Sequence, residues 1–161
     1  MGEMMKKKTK NSENGQSMVE LAISLTFLLF IIAGLVDFGR AFGTFIAVRD
    51  AAQEGASFAA VARTAANDPM FCNDVTARVQ STSGTLQGWS DAGEIQITTT
   101  INGVNCASAN AATACLGSAV EVEVEFTNFP LVTPFLGTII GTQSITLRAT
   151  AIDTILTPPC Q

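Results

Sequence analysis

The chain has 161 residues, 47% hydrophobic and only 14% charged, with a net charge of −5 and no His or Tyr. That apolar content excludes general disorder, and the acidic balance argues against a nucleic-acid partner. Without His, Ser-His-Asp and Cys-His catalysis and the common imidazole metal sites are excluded. No acid pair or nucleophile stands beside a suitable base, so the chain does not read as an enzyme and implies no cofactor. The charges are segregated. Lys6, Lys7, Lys8 and Lys10 are the only lysines, and residues 1–15 carry a net +2 while the remaining 146 carry −7. Such asymmetry suggests that the two parts end up in different places.

Leu21 to Val36 is a run of sixteen uncharged residues bounded by Glu20 and Asp37. A helix over it is roughly 24 Å long, short for a bilayer core of about 30 Å but able to span with some thinning. Lysines ahead of an apolar run keep the N-terminus cytoplasmic and send the rest across. A buried core helix, a cleaved secretory signal and a plain membrane anchor all compete for this run. A fourth reading explains more. Gly15 precedes Gln16, and Glu20 stands five residues into the product of a cut between them, which is the type IV prepilin pattern. Residues 1–15 are then a leader, and the apolar segment is retained. Glycine lets an extended backbone approach a peptidase closely. A charge within a membrane segment costs about 2–3 kcal/mol or more and needs a partner. The new α-amino group of Gln16, on the same or a neighbouring subunit, would supply one for Glu20.

No proline interrupts Leu21 to Ala66, and alanine is dense from residue 41, so one helix over 16–66 is expected. Asp37 and Arg40 are spaced to pair at its surface. Phe38, Phe42, Phe45 and Ile46 share one apolar face, continued weakly by Ala52, Gly55, Ala59 and Ala62. That stripe is expected to dock the chain's own globular part in some measure. Gly39 and Gly43 form a G-x-x-x-G, a spacing that permits close helix approach.

The stretch from Gly15 to Ala60 closely resembles the TadE-like family, pilin-like proteins of tight-adherence (Tad) pilus systems. The matching features are Gly15, Val19-Glu20, the apolar run, the box Asp37-Phe38-Gly39-Arg40 and the segment Asp50-Ala51-Ala52-Gln53-Glu54-Gly55-Ala56. Asp37 replaces the glutamate common in the family's box. The resemblance implies cleavage by a prepilin peptidase and passage through the inner membrane. It also implies assembly with other pilin subunits, by pilus machinery, into an extracellular filament or at its base. Glu20, Asp37, Phe38, Arg40 and Phe42 are the candidate assembly residues. The alternative is a membrane-anchored, exported binding domain, adhesin-like, that never polymerises.

Residues 67–161 read as an exported α+β domain. Asn67-Asp68-Pro69 breaks the helix, and Asn73 to Ser81 suits a short helix with Val75 and Val79 on one face. Gly84 to Gly93 is turn-rich and holds Trp89, taken as a satellite core residue. Three strands are expected: Glu94–Ile101, Ala119–Phe126 and Gln143–Asp153. In the second, Val120, Val122, Val124 and Phe126 face inward while Glu121, Glu123 and Glu125 face outward as a solvated row, which suits calcium poorly. Asn128 to Gly141 is a loop or short helical excursion rich in apolar residues, which fold back or meet a neighbour. The fold class is therefore α+β and pilin-like, a long apolar N-terminal helix whose distal half packs on a small antiparallel sheet. Cys72, Cys106, Cys115 and Cys160 all fall on the exported side, where an even count reads as disulfides. Cys106–Cys115 is the favoured bridge, leaving Cys72 with Cys160.

Overall fold

A computed structural model describes residues 14–62, 69–82, 84–109 and 114–156. Helix α1 runs Asn14–Val61. The chain divides into two compact units within it, one ending at Val36 and the other comprising Asp37–Gln161. In the first unit Met18, Leu21, Ile23, Phe27, Leu28 and Leu29 are all exposed, so this stretch of helix is apolar on every side.

The second unit is an antiparallel sheet with helices on one face. After α1 come α2 (Pro69–Ser81) and α3 (Gly84–Asp91), then β1 (Ile95–Ile101) and β2 (Val104–Asn105), and a 3-10 turn at Cys106–Ser108. Strand β3 (Ala119–Pro130), helix α4 (Pro134–Ile140) and β4 (Ser144–Thr154) complete it. The sheet order is β2-β1-β3-β4, all neighbours antiparallel. Its apolar face follows from period-two alternation: Val120, Val122, Val124 and Phe126 are buried, and Ile95, Thr99, Ile101 and Ala149 join them. Phe126 and Phe129 are both buried although three apart, and a register shift between them reconciles this with the alternation.

The cover is the distal part of α1 together with α2 and α3. Val48, Ala51, Ala52, Ala56 and Ala59 form the docked stripe of α1, beside Phe71, Val75 and Val79 of α2 and Leu86 of α3. Small side chains let α1 come close. At Gly55 even a Cβ would lie 2.4 Å from Val79 Cγ2 and 3.2 Å from Val122 Cγ1. Arg78 of α2 pairs with Glu54 of α1 at the edge of this layer.

The α+β class and the three expected strands stand, with β3 running four residues further than expected. Other expectations are corrected. A fourth strand exists because Asn102 and Gly103, at φ 50 and 78°, close a two-residue hairpin that returns the chain as β2. The turn-rich stretch at 84–91 is helical, because Leu86 is fully buried and Trp89 meets the Phe126 ring edge-on at 4.9 Å, packing that outweighs weak local propensity. The expected stripe docks only in its continuation, where Ala52, Gly55 and Ala59 are buried against the sheet; its Phe38–Ile46 part does not, with Phe38 68% and Phe42 54% exposed. Asp37 is not at the surface either but buried.

The disulfide expectation is also corrected. Cys72 is bonded to Cys106, with a Cα–Cα distance of 5.9 Å. The β1–β2 hairpin is the cause, since it carries Cys106 back over the sheet to α2, where Cys72 waits one turn before the buried Val75. Cys115 is oxidised too, but Cys106 is not its partner. Cys160 lies outside the described residues, as do residues 1–13 of the expected leader and residues 63–66 at the expected end of the long helix.

Candidate assembly site on the long helix

Gly15, Gln16 and Glu20 lie within the first two turns of α1, all exposed, and with Val19, Ile23 and Ser24 they line one shallow hollow. Glu20 has no hydrogen-bond or ion-pair partner among the described residues. The Gly15–Gln16 peptide is helical here rather than extended. It falls in the first turn, whose N–H groups have no intrahelical acceptor, so unwinding it costs less than unwinding any later turn. Helix α1 is long and apolar enough to cross a membrane.

Asp37 and Arg40 open the second unit. Asp37 is 2% exposed. Its Oδ1 accepts from the Val132 N–H at 3.0 Å and its Oδ2 from the Thr133 N–H at 2.9 Å. The Thr133 hydroxyl also donates to Oδ2. Arg40 approaches Oδ1 at 3.4 Å and stacks over the Phe129 ring at 5.2 Å. The Thr133 hydroxyl holds the Asp37 carboxyl below the ordinary carboxylate range; burial opposes this, and the two N–H groups and Arg40 reinforce it. Asp37 thus spends its hydrogen-bonding capacity inside its own subunit, fastening the segment before α4 to the long helix. The acid-Phe-Gly-Arg box puts Asp37 inward and Phe38 outward on consecutive positions.

Val132 and Thr133 were not legible as partners of Asp37, because the link spans 96 residues and the sequence already offered Arg40 as a local partner. Trp89 and Phe129 were also missed as site residues. They form one wall of a groove beside α1, whose other wall carries Gly39 and Gly43. On the far face of the sheet Arg148 bridges Glu123 at 2.9 Å and Glu125 at 3.1 Å, which ties the glutamate row to β4. No group of His, Cys, Asp or Glu suited to a metal occurs among the described residues.

A long apolar helix whose distal half carries a small antiparallel sheet defines the pilin-like class of α+β protein. Residues 15–57 match the model of the TadE-like protein family. No curated protein matches the chain. No solved structure matches it either.

Proposed function

We propose that this protein is a pilin or pseudopilin of a Tad-type pilus, cleaved after Gly15 by a prepilin peptidase. Before assembly it is a single-pass membrane protein with its N-terminus in the cytoplasm. Afterwards its apolar helix is buried among those of other subunits, in a surface filament or at its base. The observation that carries this reading is the exposed apolar run Leu21–Val36 with an unpartnered acid, Glu20, at its head, within the TadE-like stretch. Each large apolar side chain moved from water gains about 1.5–3 kcal/mol, so these residues need lipid or neighbouring helices around them. A carboxylate taken into that surrounding needs a cation, and the α-amino group freed at Gln16 is the nearest that processing can create.

Mass spectrometry of the protein from native cells tests this. A mature chain beginning at Gln16, and its loss in Gly15→Val, are expected. Glu20→Ala should insert into the membrane normally but yield few filaments in sheared surface material. An uncleaved native chain with no filament association would replace this reading with that of an anchored binding domain.

A further inference from the structure

Three faces of α1 divide the second unit's part of the helix. One is docked on the sheet. Roughly a third of a turn away, Phe38, Phe42, Phe45 and Ile46 make a ridge that is 68, 54, 37 and 40% exposed, with the first two rings stacked at 6.1 Å. The ridge ends in Arg49, the one arginine among the described residues with no carboxylate in ion-pair range; Asp153 lines the same hollow but does not reach it. On the third face, Gly39, Gly43 and Thr44 line a groove of about 600 Å³ whose opposite wall includes Trp89, Phe129 and Glu94.

The glycines of this groove are not needed by the subunit itself. A Cβ at Gly39 or Gly43 would meet nothing within 4 Å, in contrast to Gly55. Each costs the helix about 1 kcal/mol against Ala. The groove also holds unused polar groups. Thr44 is 8% exposed and its hydroxyl has no partner among the described residues, and the Glu94 carboxylate has none either. Arg40, which also lines the groove, is engaged by Asp37 and the Phe129 ring, so a neighbour that fits brings bulky apolar groups, a close-approaching backbone and a cation for Glu94. The ridge, ending in Arg49, has that composition.

We propose that the Phe38–Phe42 ridge of one copy docks in the Gly39–Gly43 groove of a second copy, with Arg49 answering Glu94 and Thr44. Ridge and groove are different surfaces, so the contact is heterologous, leaves one of each free at the ends, and propagates as a filament unless its rotation closes a ring. This rests on the filament reading above and extends it to the helix beyond the apolar run.

The test uses full-length chains in filament-producing cells. Differently tagged Phe42→Cys and Gly43→Cys copies are co-expressed, and sheared filaments are treated with a short bis-maleimide. A mixed-tag dimer is expected, with no Phe42→Cys homodimer. Gly43→Phe should keep the wild-type guanidinium unfolding midpoint and lower filament yield about tenfold or more. Arg49→Glu should lower yield and Glu94→Arg added to it should restore yield. Filaments that form with only Phe42→Cys homodimers, with a yield indifferent to Gly43→Phe, or with no charge-swap rescue would overturn the docking while leaving the filament reading intact. An unmutated chain that forms no filament would overturn both.

Discussion

Replacing Asp37 with Asn separates a carboxylate that fastens its own subunit from one that merely decorates the helix. Asn has nearly the same shape, but one of its two terminal atoms is an NH2. Oδ1 faces the Val132 N–H and Oδ2 faces the Thr133 N–H, at 3.0 and 2.9 Å. Whichever way the amide turns, its NH2 opposes one of them. A buried donor left unpaired costs about 1–3 kcal/mol, and the surviving bonds lose their charge assistance. The Val132–Asp37 bond is only part-buried, so water can partly replace the lost acceptor. The expected loss is therefore about 2 kcal/mol rather than the upper limit. Trp89 is the single tryptophan and lies edge-on to Phe126 in the second unit. Its fluorescence in the full chain, held in mild detergent and titrated with guanidinium, reads the change directly. A loss below about 0.5 kcal/mol, the range of an ordinary surface substitution, would refute the fastening role.

The same pair gives a pH signature. The folded-state pKa of Asp37 is below its ordinary value, chiefly because of the Thr133 hydroxyl. Its stabilising contribution is thus full above the unfolded value of about 3.9 and is lost as pH falls through the lower folded value. The Asn variant has no such contribution to lose. Wild type and variant should converge in stability from about pH 4 downward, and a gap that stayed constant into that range would count against the assignment.

Three further predictions use the same fluorescence assay. Removing the bridge with Cys72→Ser and Cys106→Ser together frees a 34-residue separation and should cost about 3–4 kcal/mol on the chain-entropy model; an unchanged midpoint would mean that the bridge is dispensable. Gly55→Val should cost at least about 2 kcal/mol, since its Cβ meets the stiff Val79 side chain in a filled layer, whereas Gly43→Ala should be neutral or stabilising by up to about 1 kcal/mol.

Local pattern carried most of the fold. In β3 the alternation of valine and glutamate has one solution, because shifting register by one residue would turn Glu121, Glu123 and Glu125 into the core. The ends of elements were less legible. The bulge between Phe126 and Phe129 depends on two aromatic rings sharing one core, which periodicity alone does not express. The hairpin at Asn102-Gly103 did have a local signal in its Asn-Gly dipeptide. Its consequence, the approach of Cys106 to Cys72, is tertiary and lies beyond any spacing argument.

The long helix shows why hydrophobicity by itself misplaces a docking face. Large apolar residues at Phe38, Phe42, Phe45 and Ile46 look like the core stripe, yet the helix turns Ala51, Ala52, Gly55, Ala56 and Ala59 toward the sheet instead. The sheet brings its own bulk in Val120, Val122, Val124 and Phe126, so the layer closes only if the helix contributes little. Phenylalanines on that side would hold the layers apart and leave voids between the smaller residues. The aromatic stripe is therefore displaced to an open flank by the packing requirement of the alanine stripe. Its exposure costs the isolated subunit about 1.5–3 kcal/mol per large side chain relative to burial. A covering partner would recover that, so the stripe that looks like a core in the sequence is a core only when a second molecule completes it.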